Sequence, residues 1–421
     1  MRLLPVSLVL ACMLLGACSG DERTASSPVA APALRLRAEP WLLPADAVAA
    51  QPDLVAAPDG SMLLSWLSPD AGGHQLRYAR FSAGHWQPAR QIARGDDWFV
   101  NWADTPHLAA SADGALWAQW LRKSGNPHAY DVQLARSADG RQWSAPVTVH
   151  DDGTATEHGF VSLWPQGTDG IGIAWLDGRH TAGGADHAKH GGGAMTLRSA
   201  RFDALLRRHD EQELDAMTCD CCQTGASVAG NATLLVYRGR DAGEVRDIHL
   251  RRRTTGGWQP AQRVHADNWV MPACPVNGPA VAAHGDDAWV AWYTAPQGEP
   301  LLRVAHSGDG GANFGTPREV DRGIEVQGRV QVAADAGGLW LAWLREDGRS
   351  QSLWLARYGP TLEHEFGRLQ VATLLGRGRG TGFPRLLADH GRARLVWTDV
   401  ADGQPLLRGA VVSALPAEGA R

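Results

Sequence analysis

The chain has 421 residues, 44% hydrophobic and 20% charged, with a formal net charge of −5. That apolar share supports a packed core and excludes a disordered chain, and the weakly acidic balance without a long basic run excludes nucleic acid as a partner. Forty-nine Gly, 24 Pro and 18 Trp signal many tight turns and aromatic-packed strands, an all-β composition.

The chain opens with Met1 and Arg2 and an apolar run, LLPVSLVLACMLLGAC, too short to span a bilayer comfortably and closed by small residues, as in a secretory leader. Its end, Leu15-Gly16-Ala17-Cys18, resembles the lipobox of bacterial lipoproteins. The resemblance implies a signal peptide over 1–17 and lipidation of Cys18, so that the lipid makes the membrane a partner. Ser19 rather than Asp follows, which implies sorting to the outer membrane, facing the periplasm; an ordinary cleaved signal is the alternative. From Cys18 to residue 32 the sequence is small, polar and Pro-containing, a tether with too little apolar surface to pack.

An isolated alternating segment, ALRLRAEPW (Ala33 to Trp41), precedes a repeat. Apolar strands ending in an aromatic recur at Trp66, Trp120, Trp175, Tyr237, Trp292, Trp343 and Trp397, at spacings of 54, 55, 62, 55, 51 and 54 residues. A shorter apolar segment precedes each, an alternating strand such as QLRYARF or LRVAHS follows most, and a weaker fourth strand such as ARQIA comes after. Short strands in sets of four, with no helix between sets, predict the blades of a β-propeller over 33–413, with a tail at 414–421. Seven units predict seven blades. The last has three strands, so the N-terminal segment is expected to pair with it and close the ring. The seven periodic aromatics are expected in the core.

Between the third and fourth strands stand SADGRQW, with Ser137, Asp139, Gly140 and Trp143, and SGDGGANF, with Ser307, Asp309, Gly310 and Phe314. Both resemble the Asp-box (BNR repeat) of the sialidase-like, or neuraminidase, propeller superfamily. The box acts as a turn device: Asp accepts backbone amides, Gly takes a positive φ, and the aromatic plugs the sheet. The resemblance implies a sialidase-like propeller, with six blades as the alternative count. It also implies a substrate clamp of three arginines, a Tyr nucleophile assisted by Glu, and an Asp acid/base. This sequence departs from that set: it has no Arg-Ile-Pro tripeptide, and its five tyrosines lie in or next to second and third strands. Asp53, Glu157, Glu325, Arg329 and Arg385 remain as candidates near the central mouth.

The third unit carries the longest insertion, Leu176 to Met195, with His180, His187 and His190. The crossing into the fourth unit is TCDCCQTGA, with Cys219, Cys221 and Cys222, and the crossing into the fifth contains Cys274. Strand alternation places these segments on one face of adjoining blades, opposite the Asp-boxes. Disulfide clamps, a copper or zinc site of thiolates with His or Met, and an exchanging dithiol pair all fit these residue types. The expectation is a ligand-binding or metal-handling propeller, with a glycan or small ligand at its mouth. An exo-α-sialidase or related glycoside hydrolase is the alternative, and an interaction scaffold the third.

Overall fold

Alternating apolar and polar residues fold the chain into seven antiparallel sheets. The structure, a computed structural model, describes residues 34–182 and 193–416. The leader, Cys18, the tether, His187, His190 and residues 417–421 lie outside the described residues. Blade 1 begins with the inner strand Ala50–Ala56, blade 2 with His107–Ala110, blade 3 with His158–Gln166 and blade 4 with Gly225–Ala229. Blades 5, 6 and 7 begin with Ala280–His284, Val326–Asp335 and Arg385–Asp389.

The ring closes by strand exchange. Leu34–Pro40 pairs antiparallel with Gln404–Pro416, from Leu34 opposite Pro416 to Pro40 opposite Ala410, and supplies the outer strand of blade 7. Without it the thirteen-residue strand would present an open edge.

Seven apolar clusters fill the seven seams between neighbouring blades. All seven periodic aromatics are buried in them. The sequence repeat therefore marks seam filling, since each blade can cover its apolar face only with the next.

Several of these aromatics also have a polar lock. The indole N–H of Trp66 donates to Asp46 at 2.9 Å, that of Trp292 to Asp267 at 2.6 Å, and that of Trp343 to Asp321 at 2.7 Å. The same carboxylates hold Arg77, Arg303 and Arg345. An indole N–H taken out of water needs an acceptor, and the arginine holds that acceptor in place.

The Asp-boxes behave as turn devices. Asp139 Oδ1 accepts the amides of Arg141 and Gln142 at 2.8 and 2.9 Å, and Asp309 Oδ1 accepts the Asn313 amide at 2.9 Å. Gly140 and Gly310 have φ of 65° and 67°, the left-handed region that favours glycine. Trp143 and Phe314 pack against the adjacent cores.

Candidate functional site

Near the start of the inner strands, side chains reach across to the next blade, and these links run completely around the mouth. The Leu108 amide donates to Asp53 Oδ2 at 2.9 Å and the Phe160 amide to Asp104 Oδ1 at 2.8 Å. Thr224 Oγ1 donates to the Phe160 carbonyl at 2.8 Å, and the Gly278 amide to Gln223 Oε1 at 3.1 Å. The Arg329 amide donates to Asn277 Oδ1 at 2.8 Å, and its guanidinium to Thr381 Oγ1 and the Gly382 carbonyl, both at 2.9 Å. Arg385 Nε donates to the Pro52 carbonyl at 3.0 Å and completes the circle. Every seam therefore has a polar clasp at the channel, where unpaired inner-strand groups would otherwise be buried.

Inside this ring lies a cavity of about 190 Å³, lined among others by Asp53, Asp104, His107, Gln223, Gln331 and Arg385. Asp53 is buried, with His107 Nδ1 at 3.3 Å and Arg385 Nε at 3.6 Å. Burial works to raise its pKa, but Arg385, His107 and the Leu108 amide outweigh it and hold the carboxyl below the ordinary aspartate range. Asp104 goes the other way. Burial pushes its carboxyl up to about 8; the Phe160 amide opposes this, and the nearby Glu157 charge adds to it. Its Oδ2 is buried without a hydrogen bond. The cavity thus combines an ionised carboxylate with a carboxylic acid that stays protonated at neutral pH.

The sequence candidates separate in space. Asp53 and Arg385 meet in the cavity. Arg329 is buried in its seam, its guanidinium 4.9 Å from the Trp102 ring and 5.9 Å from that of Phe383. Glu325 pairs with Arg345 at 2.9 Å, away from the cavity lining. Glu157 sits at the crossing into blade 3, where its backbone bridges to Tyr130. Asp104 and Gln223 were not singled out by sequence reasoning. Asp104 lies in a blade crossing without a motif and Gln223 beside the cysteines of TCDCCQTGA, and the significance of each depends on the blade it faces.

The four cysteines do converge, as two disulfides, Cys219–Cys222 and Cys221–Cys274. The second joins the crossing into blade 4 to the crossing into blade 5. Oxidised sulfurs are not thiolate ligands, so the clamp is the state present here. The ends of the histidine-bearing loop lie beside it: the Thr218 amide donates to the Met195 carbonyl at 2.9 Å, and His180, exposed, approaches Glu213 at 3.5 Å. Asp177 and Arg179 form a two-pronged pair at 2.7 and 2.8 Å. Arg238, buried, donates to the carbonyls of Asn277, Arg246 and Tyr293.

No protein-family model matches the chain, and no curated protein matches it. Solved structures do. A protein of unknown function from Dyadobacter fermentans superposes with a TM-score of 0.52 at 14% identity, covering 87% of this chain and 95% of its own. A polysaccharide lyase superposes with a TM-score of 0.52 at 8% identity, covering 84% and 88%. A neuraminidase-like protein from a Guatemalan bat isolate has a TM-score of 0.45 at 10% identity, covering 86% and 88%. The fold that these structures share with this chain is a β-propeller. At these identities the likeness establishes the propeller architecture and leaves the chemistry to this chain's own residues.

Proposed function

We propose that this sialidase-like propeller is a ligand-binding protein of the bacterial envelope whose central mouth takes one small polar molecule, about the size of a single sugar ring. The cavity carries this reading. At about 190 Å³ it is smaller than the roughly 300–1,000 Å³ of sites for drug-sized ligands. Its wall combines hydroxyl and amide groups from Thr105, Ser162, Gln223 and Gln331 with the rings of Phe160 and Phe383 and the Asp53–Arg385 pair. Such a wall suits a ligand with several hydroxyls and one apolar face. The test is calorimetric titration of the mature chain with neutral and acidic monosaccharides. Saturable binding weakened at least tenfold by Gln331→Ala is expected; no heat with any sugar removes the reading.

A second reading, a glycoside hydrolase, is favoured by one observation: two carboxyl groups of the same cavity with pKa values pushed in opposite directions. Asp104 would serve as the proton donor and Asp53 as the ionised partner. Fluorogenic glycosides, a sialoside among them, test this. Turnover should fall on the order of 10²-fold or more in Asp104→Asn.

The envelope location rests on the leader, the lipobox-like Leu15–Cys18 and the two disulfides, which persist in oxidising compartments. Metabolic labelling with palmitate, lost in Cys18→Ala, is the expected outcome. Unlabelled protein found in the soluble periplasm would identify an ordinary cleaved leader instead.

A further inference from the structure

We infer that the seam between blades 2 and 3 contains a site for a divalent transition-metal ion of the Zn2+ class, formed by His150, His158 and Asp131. This pocket is separate from the cysteine-bearing crossings and from the central cavity lining. His150 follows the outer strand of blade 2, His158 opens the inner strand of blade 3, and Asp131 lies on the third strand of blade 2. Candidate ligand atoms of these three residues all lie within 4.8 Å of one another. The two imidazoles stack face to face with centroids 3.6 Å apart and planes 11° from parallel.

Unmet hydrogen-bonding capacity points to a ligand. His158 is 0% exposed and His150 6%. His150 Nε2 and both ring nitrogens of His158 are buried without a hydrogen bond. Burying such groups without a partner is unfavourable. One ion could take His150 Nε2 together with one of the two His158 nitrogens.

The surroundings choose its chemistry. Asp152 Oδ2 lies 2.9 Å from His150 Nδ1 and 3.1 Å from His158 Nε2. If His150 Nδ1–H donates to Asp152, the lone pair is left on Nε2, which faces Asp131 Oδ1 at 3.7 Å. This is the carboxylate–histidine arrangement that orients metal-binding imidazoles. Asp177 Oδ1 stands 3.8 Å from His158 Nε2, and Arg179, gripped by Asp177, approaches Asp152 at 3.5 Å. Asp131, Asp152 and Asp177 all face the two rings, and the Arg179 guanidinium that grips Asp177 is shared with Glu211, so the carboxylates nearest the imidazoles suit a cation. Imidazole and carboxylate donors without thiolate suit Zn2+ and its neighbours rather than Cu(I). Metal–nitrogen bonds of about 2.0–2.1 Å place an ion in the plane of each ring, so binding would swing the two stacked imidazoles well apart.

The test is Zn2+ titration of the chelator-treated mature chain, read by calorimetry and by metal content after dialysis. One equivalent is expected. His158→Gln and Asp131→Asn should each weaken binding at least tenfold, and Asp152→Asn by about 10–100-fold. The double variant His187→Ala/His190→Ala should bind as the parent does. Co2+ should give a visible absorption band that Asp131→Asn abolishes. If His158→Gln loses its circular-dichroism signature, Asp131→Asn, nearer the surface, carries the decision. Absence of Zn2+ uptake, uptake unchanged by Asp131→Asn, or uptake lost with the two loop histidines overturns the inference.

Discussion

Asp104 of the crossing into blade 2 accepts the amide of Phe160 on blade 3 at 2.8 Å, while its other oxygen is buried without a hydrogen bond. One carboxyl group thus joins two blades and keeps its proton to a pH at which most carboxylates have lost theirs.

The sign of the resulting pH dependence follows from linkage. The Asp104 pKa is raised on folding from 3.8 to about 8, so between those values the folded chain holds a proton that the unfolded chain has released. The Asp104 contribution to stability is full below pH 4 and declines as pH rises toward 8, by at most about 1.4 kcal/mol per unit. Asp104→Asn keeps an acceptor for the Phe160 amide and cannot ionise. Urea unfolding at pH 5, 7 and 9 should show the variant gaining on the parent as pH rises; a constant difference would mean that Asp104 is ionised in the fold.

Gly159 is the neighbour that makes this possible. A Cβ at that position would overlap Asp104 Oδ2 and crowd the Tyr130 ring. Gly159→Ala should cost about 1–3 kcal/mol as an overpacked site. The double variant with Asp104→Ala should recover part of that loss, measured as a double-mutant cycle.

Cys221 and Cys274 are 53 residues apart, so their bond removes much freedom from the unfolded chain. Replacing both with Ser should cost about 4 kcal/mol by loop entropy. The Cys219–Cys222 bond spans three residues and should matter less. Thiol titration of unfolded, unreduced protein should find no free sulfur among these four.

Removing residues 34–40 strips the outer strand from blade 7. The exposed edge of Gln404–Pro416 should lower the melting temperature and promote strand-to-strand association, visible as dimers or larger species by light scattering. Monomeric protein with an unchanged melting temperature would show that closure does not depend on this pairing.

The repeat, the buried aromatics, the Asp-box turns and the closing strand were legible because each follows a local period or a fixed turn requirement. The meeting of Cys219, Cys221, Cys222 and Cys274 was legible as well, since strand alternation assigns loops to faces. The pairing of Cys221 with Cys274 was not, because three cysteines within four residues offer competing partners and only backbone geometry chooses among them.

Asp53, Asp104 and Arg329 each occupy a blade edge, and their environments are supplied by residues about 52–56 positions away. Arg329 accordingly became a seam clasp, while Asp104 emerged as the protonated acid. His150 and His158 stand eight residues apart in a stretch without a recognisable metal spacing. The sequence by itself determined a seven-bladed ring and the faces of its loops, because periodic apolar residues need neighbouring blades to cover them. Only the tertiary structure decided which polar groups meet at the seams, because burial and partner charge exist only once two blades are packed together.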